Sequence, residues 1–160
     1  MLLTLGPTNP STPRGDPEPA EPDARDQPPR DPETAGGGAP ILVIDDNEVV
    51  RSGLARVLEQ AGYQVQTAPH GLAALLSVGR RWYHVIVCDI MMPVMDGVDF
   101  FHEIAKLHPE AAERVLFVTA WGDEPTVRPL LAKTGRPVLQ KPFEIDEFLR
   151  AVRDVADTAA

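Results

Sequence analysis

The chain has 160 residues, carries a formal net charge of −9 at pH 7, and is 43% hydrophobic and 24% charged. This length suits one domain of ordinary size, and the composition is that of a globular protein. The excess of acidic residues disfavours binding to nucleic acid, and no apolar run reaches the roughly 20 residues of a membrane-spanning helix. We therefore expect neither nucleic acid nor a membrane as a partner.

Residues 1–39 differ sharply in composition from the rest of the chain. They hold nine of the 17 prolines and five of the 12 glycines, and no Phe, Trp or Tyr. Such a segment buries too little apolar surface to offset an ordering entropy of about 1–2 kcal/mol per residue. We therefore predict a disordered extension over residues 1–39, either a spacer or a tail that binds a partner, and a folded domain over residues 40–160.

The predicted domain alternates two kinds of apolar pattern. Continuous apolar runs such as 41–44 predict strands buried on both faces of a parallel sheet, whereas apolar residues repeated every three or four positions predict amphipathic helices. In chain order, strands are expected at 41–44, 63–67, 85–88, 115–118 and 137–140, and helices at 50–61, 71–81, 98–105, 124–133 and 148–156.

Five strand–helix units predict an α/β fold, a doubly wound five-stranded parallel sheet of the flavodoxin-like layout with strand order 2-1-3-4-5. The helical periodicity also predicts which helix faces are buried. In the second helix this face carries Leu72, Leu75, Leu76 and Val78, and in the third it carries Val98, Phe101, Ile104 and Ala105.

Five polar residues lie at the ends of the predicted strands. Asp45 and Asp46 follow the first strand, Asp89 follows the third, Thr119 follows the fourth, and Lys141 lies at the end of the fifth. Parallel strands end at one edge of the sheet, where ligands bind in folds of this kind. We therefore expect three carboxylates, a hydroxyl and an ammonium to converge at that edge.

Each of these residues also has an ordinary structural interpretation. An aspartate after a strand often caps the next helix, and a lone lysine is usually a solvated surface residue. Their combined placement argues for a site, because clustered carboxylates either take up protons or bind a cation. Ligands that are all oxygen suit Mg²⁺ rather than Zn²⁺, and a metal and an ammonium beside a carboxylate suit phosphoryl transfer.

Four segments within residues 40–157 resemble the receiver domain of two-component response regulators. They read IDDN at 44–47, CDIMMPVMDG at 88–97, VTA at 118–120 and QKPF at 140–143. The resemblance implies that Asp89 is the phosphoryl acceptor and that Asp96-Gly97 form the turn into the third helix. It also implies a cis peptide bond between Lys141 and Pro142.

The same resemblance implies roles for the other polar residues. The hydroxyl of Thr119 and the ammonium of Lys141 would contact the phosphoryl group. The metal would be Mg²⁺, and its protein ligands would be Asp45, Asp46, Asp89 and the backbone carbonyl of Met91.

The implied function is that of a phosphoacceptor receiver rather than an enzyme with a separate substrate. A sensor histidine kinase or a histidine phosphotransfer protein would supply the phosphoryl group, and output would be protein–protein contact or phosphorelay to an unknown downstream protein. The chain ends just after the fifth predicted helix, so we expect no output domain. The partner-binding face is expected around the fourth helix, the fifth strand and the fifth helix. A single cysteine, Cys88, leaves no intrachain disulfide and favours the cytoplasm.

One residue departs from the more familiar family pattern. Receivers often carry Tyr or Phe three residues before the lysine, where this chain has Val138. A short branched side chain sweeps out little volume, which implies a small rearrangement on phosphorylation.

Two other functions remain open on the sequence alone. One is a receiver fold used as a scaffold that works without phosphorylation, which the five intact polar residues disfavour. The other is a Mg²⁺-dependent hydrolase with an aspartyl-phosphate intermediate. Such hydrolases carry D-x-D after the first strand, whereas Asp45 and Asp46 are adjacent.

Overall fold

A five-stranded parallel sheet forms the centre of residues 38–159, the part of the chain that the computed structural model describes. Its strands are β1 (Pro40–Ile44), β2 (Gln64–Ala68), β3 (Val85–Asp89), β4 (Val115–Thr119) and β5 (Val138–Gln140). They lie in the order β2-β1-β3-β4-β5, and every neighbouring pair is parallel. The predicted α/β fold and strand order are confirmed.

Helices cover both faces of this sheet. They are α1 (Glu48–Gln60), α2 (Gly71–Arg80), α3 (Gly97–Leu107), α4 (Pro109–Ala112), α5 (Arg128–Thr134) and α6 (Ile145–Thr158). The sequence predicts all of them except α4, which is a single turn. Its proline lies in the first turn, where a backbone N–H has no partner within the helix, so the missing N–H of proline costs no hydrogen bond.

Two hydrophobic cores lie on opposite faces of the sheet, because successive side chains of a strand point to opposite faces. In β1, Leu42 and Ile44 belong to one core, which also contains Ala74 of α2. Ile41 and Val43 belong to the other core, together with residues of α1 and α6. All five residues of β3 and all five of β4 are buried, as their continuous apolar runs predict.

The predicted buried faces of α2 and α3 are partly wrong. In α2, Gly71, Ala74 and Val78 are buried, whereas Leu72 and Leu76 are exposed. In α3, the buried residues are Gly97, Val98, Phe100 and Ile104, while Phe101 is half-buried and Ala105 is exposed. Small residues let α2 approach the sheet closely, and burying the large ring of Phe100 gains more than burying the methyl group of Ala105.

The fourth predicted helix also begins later than expected. Residues 124–127 form turns, and α5 starts only at Arg128. Pro125 disfavours the helical conformation of Glu124 before it and has no N–H to donate. Pro129 is tolerated because it lies in the first turn of α5.

The predicted extension lies almost entirely outside the described residues, which begin with Gly38 and Ala39 leading into β1. Within residues 38–159, no helix has the length and apolarity needed to cross a membrane.

Gly97→Ala is expected to lower the free energy of unfolding by about 1–3 kcal/mol, the usual cost of overpacking. A Cβ atom at position 97 would lie 2.3 Å from the backbone oxygen of Asp89, and backbone cannot move aside cheaply. Gly53→Ala is the matched control, since a Cβ there meets nothing within 4 Å and the residue lies in α1. Urea unfolding should show the control as stable as the parent or more so. A Gly97→Ala protein of undiminished stability would contradict the predicted close approach.

Candidate functional site

Three carboxylates meet at the carboxyl edge of the sheet. Asp45 and Asp46 follow β1, and Asp89 ends β3, the strand beside it. Each offers one oxygen, and these oxygens lie within 4.8 Å of one another. Asp45 and Asp89 are buried, whereas Asp46 is exposed to solvent. The predicted convergence of these three residues therefore occurs.

The interpretation of these aspartates as helix caps is wrong, because neighbouring residues cap the helices that follow. The side chain of Asn47 caps α1 by accepting from the N–H groups of Val49 at 3.0 Å and Val50 at 3.2 Å. Asp96 caps α3 by accepting from the N–H of Asp99 at 2.8 Å. The site carboxylates are thus not used to satisfy the first turn of a helix.

The ammonium of Lys141 joins the cluster from β5. Its Nζ lies 3.2 Å from Oδ2 of Asp45 and 3.9 Å from Oδ1 of Asp89. The lysine side chain is only 25% exposed, so solvent screens these interactions less than it screens a surface ion pair. Lys141 and Asp45 are 96 residues apart in the chain, and only the strand order brings them together.

Asp89 has a raised pKa. Burial is the main cause, and together with the negative charges of Asp45 and Asp46 it raises the pKa to about 6. Lys141 and the N–H of Ile90, which donates to Oδ1 of Asp89 at 2.9 Å, lower it in part. One ammonium therefore does not fully compensate for burial and for two neighbouring negative charges.

Thr119 ends β4 and is completely buried. Its backbone oxygen accepts from the N–H of Lys141 at 2.9 Å, which ties the ends of β4 and β5 together. Its hydroxyl oxygen accepts from the N–H of Trp121 at 3.0 Å. That contact uses a lone pair and leaves the hydroxyl proton available to donate. The peptide bond between Lys141 and Pro142 is cis, as predicted.

Met91 lies in the loop between β3 and α3, two residues past Asp89. Its side chain is half-exposed, as is that of Trp121 in the loop after β4. The cluster described above contains only side-chain carboxylates and says nothing of backbone oxygens. The ligating role of the Met91 carbonyl therefore stays a prediction.

Arg51, in the first turn of α1, also contacts the site, although no sequence pattern pointed to it. Its guanidinium donates to the backbone oxygen of Asp45 at 2.7 Å, and the side chain is half-buried. Asp45 is also held by the N–H of Asn47, which donates to its Oδ1 at 2.8 Å. These two bonds fix the turn after β1, so Arg51 orients the acidic pair although it does not belong to it. The only sign of this role in the sequence is that Arg51 follows Asp45 by six residues, and a spacing so common does not predict a contact.

This arrangement can hold a hard divalent cation. The three carboxylates supply only oxygen donors, and two of them are buried. Among residues 38–159, only the ammonium of Lys141 forms ion pairs with these carboxylates. A divalent cation would reduce the repulsion between the carboxylates and stabilise their ionised forms. A carboxylate so placed beside a metal and an ammonium can act as a nucleophile toward phosphorus.

Comparisons with known proteins agree with this geometry. A family model for the response regulator receiver domain matches residues 41–153. The chain is 28% identical over 120 residues to the chemotaxis protein CheY of Thermotoga maritima, which covers 74% of this chain and 98% of that protein. The solved structure of CheY4 from Vibrio cholerae has a TM-score of 0.67 and 28% identity, over 74% of this chain and 98% of that one.

Other relatives are much longer than the matched region. The sensor kinase CckA of Brucella abortus is 31% identical over 123 residues, which are 76% of this chain but 13% of the kinase. A DctD transcriptional regulator of Rhizobium meliloti is 28% identical, and the match covers 24% of its length. The matched region is thus a module that also occurs within larger signalling proteins.

Asp89→Asn is expected to raise the free energy of unfolding at pH 7–8, without metal, by up to about 3 kcal/mol, since one pKa unit corresponds to about 1.4 kcal/mol. Folding raises the pKa of this carboxyl from 3.8 to about 6. Between these values the folded state binds more protons than the unfolded state, so the parent protein loses stability as the pH rises through this window. The amide has no such dependence.

Urea unfolding of both proteins in EDTA from pH 4 to pH 8 measures this difference. The stability gap should be small near pH 4, grow up to about pH 6 and then level off. A gap that stays constant across this range would show that the pKa of Asp89 is not raised.

Proposed function

The chain belongs to the response regulator receiver domain family of two-component signalling, and we propose that it accepts a phosphoryl group on Asp89. The observation that carries this proposal is that Asp89 lies in one cluster with the Asp45–Asp46 pair and the ammonium of Lys141. We propose as donor a phosphohistidine of a sensor histidine kinase or of a histidine phosphotransfer protein. We also propose that the receiver domain begins at residue 40 and that residues 1–39 form an extension to it.

The transfer itself is a displacement at phosphorus. An oxygen of the Asp89 carboxylate forms a bond to phosphorus while the bond from phosphorus to the imidazole nitrogen breaks, and the imidazole keeps that electron pair and takes a proton. The ammonium of Lys141 approaches from β5, close enough to reach an oxygen of the transferred group. The hydroxyl of Thr119 has a proton to donate to a second oxygen.

Mg²⁺ fits the acidic cluster because the donors are carboxylate oxygens and one of them is solvent-exposed, which suits an ion that keeps several waters. When bound, it would neutralise the charge that develops on the phosphoryl oxygens. We assign Asp46 and Asp89 as direct ligands with the Met91 carbonyl. Asp45 is committed to the ammonium of Lys141 and to the N–H of Asn47, which leaves it less free to turn toward a metal.

The partner-binding face is proposed around α5, β5 and α6. Exposed apolar side chains occur on each of these elements or beside them. They are Trp121 (49% exposed), Leu130 (43%), Val138 (40%) and Ile145 (58%). This face borders Thr119 and Lys141 through the ends of β4 and β5, so a change at the site can reach it over a short path.

Asp89→Asn is expected to abolish labelling by acetyl phosphate and Mg²⁺, because an amide oxygen does not form the acyl phosphate. Asp46→Ala is expected to weaken Mg²⁺ binding and to slow labelling together. Mass spectrometry measures the phosphoryl adduct. Tryptophan fluorescence, to which Trp121 in the loop after Thr119 contributes, reports the metal titration. Asp146→Asn, an exposed carboxylate on α6, is the matched control and should label like the parent protein.

Labelling of Asp89→Asn at the parental rate would refute the assignment of the acceptor. A folded parent protein that takes up no phosphoryl group from acetyl phosphate or from any histidine kinase would instead support the scaffold function.

Val138→Tyr is expected to enlarge the structural response to beryllofluoride, which mimics the aspartyl phosphate. In the parent protein, amide chemical-shift changes should concentrate in residues 119–125 and at the start of α5, since Val138 repacks little. The tyrosine variant should extend them through β5 onto α6. Equally large shifts along α6 in the parent protein would show that the missing aromatic ring does not limit the response.

A further inference from the structure

The outer face of α2 is apolar although it lies on the surface. Of the ten residues of this helix, only Arg80 is charged. Leu72 and Leu76, one helical turn apart, are 52% and 57% exposed. Single exposed leucines are ordinary, but two on one face of an otherwise uncharged helix form a continuous apolar strip.

The strip continues into the loop between β3 and α3. Val94 is fully exposed and has a φ of 70°, a conformation that costs a β-branched residue about 1–2 kcal/mol. The next side chain, Met95, packs against Gly71 at the start of α2; a Cβ atom at Gly71 would come within 2.8 Å of it. The loop therefore places Val94, the residue before Met95, near the start of α2.

Opposite charges lie at the two ends of this strip. α2 and α3 both begin at the carboxyl edge of the sheet, so Asp99 in the first turn of α3 lies at the end where α2 begins. Arg80 lies at the other end, where α2 stops. Among residues 38–159, the ion pairs are formed by Lys106 and Lys141. Neither Arg80 nor Asp99 pairs with an opposite charge within this range.

We propose that this face, made of Leu72, Leu76, Val94, Arg80 and Asp99, binds the same face of a second copy of the chain. A two-fold axis across α2 makes the helices antiparallel, so the leucines of both copies meet and Arg80 of each copy faces Asp99 of the other. The pattern is self-complementary, as a two-fold interface requires. Two copies that each carry a net charge of −9 repel one another, and an uncharged strip with opposite charges at its ends is where this repulsion is least.

This interface does not overlap the proposed partner-binding face. α6 packs on the core opposite to that of α2. α5 shares the core of α2, but α3 lies between the two helices. The pairing therefore leaves the α5–β5–α6 face free. The apolar strip is much smaller than the roughly 800 Å² per partner of a standard interface, so the dimer is weak and dissociates on dilution.

Sedimentation velocity of the full chain from about 10 to about 500 µM, the range of weak and transient interfaces, tests the proposal. The sedimentation coefficient of the parent protein should rise toward that of a dimer, and Leu72→Glu/Leu76→Glu should remain monomeric with an unchanged circular dichroism spectrum. Ile145→Glu is the matched control, because Ile145 is equally exposed but lies on α6. A parent protein that stays monomeric throughout, or a control that loses association, would overturn the proposal.

A charge swap tests the antiparallel arrangement without touching the apolar strip. Arg80→Glu and Asp99→Arg should each weaken association roughly threefold to tenfold, and the double variant should restore it because the pair is re-formed with reversed signs. Both side chains are exposed, so the fold should tolerate the changes. A double variant that associates no better than either single variant would refute the pairing of these two residues.

Discussion

The ammonium of Lys141 holds together a site that electrostatic repulsion would otherwise open. Three carboxylate oxygens lie within 4.8 Å of one another, and the lysine contacts the two buried carboxylates at 3.2 and 3.9 Å. The compensation is incomplete, because burial still raises the pKa of Asp89 to about 6. The remaining imbalance gives the site its affinity for further positive charge, whether a proton or a metal ion.

The sheet order is what makes this ion pair possible. Asp45 follows β1 and Lys141 follows β5, and both lie at the same edge because every strand runs in the same direction. The capping residues Asn47 and Asp96 then satisfy the helix starts that follow β1 and β3, so the neighbouring site aspartates stay available. Gly97 lets α3 begin in direct contact with the backbone of Asp89. Fold and site are thus stabilised by different residues that are adjacent in the chain.

The proposed partner-binding face and the face on α2 lie beside different strands of the sheet. The α5–β5–α6 face borders Thr119 and Lys141 through the ends of β4 and β5. α2 lies beside β2 and β1 on the same side of the sheet as α5, and α3 lies between the two helices. Under the proposed function, a phosphoryl group on Asp89 is connected to the first face through the ends of β4 and β5. The face on α2 lies beside β2 and β1, away from Lys141, so the proposed self-association and the proposed signalling use separate surfaces.

The sequence by itself determined the strands, their order and the content of the site. Continuous apolar runs such as 85–88 indicate burial on both faces without any knowledge of neighbours, and a polar residue at the end of each run identifies the edge that carries the chemistry. Only the tertiary structure decided which helix faces are buried: Leu72 is exposed and Phe100 is buried, because the space between each helix and the sheet depends on the packing of the whole core. It also decided the pKa of Asp89 and the contact of Arg51 with Asp45, because both depend on burial and on distances between groups that local sequence patterns do not encode.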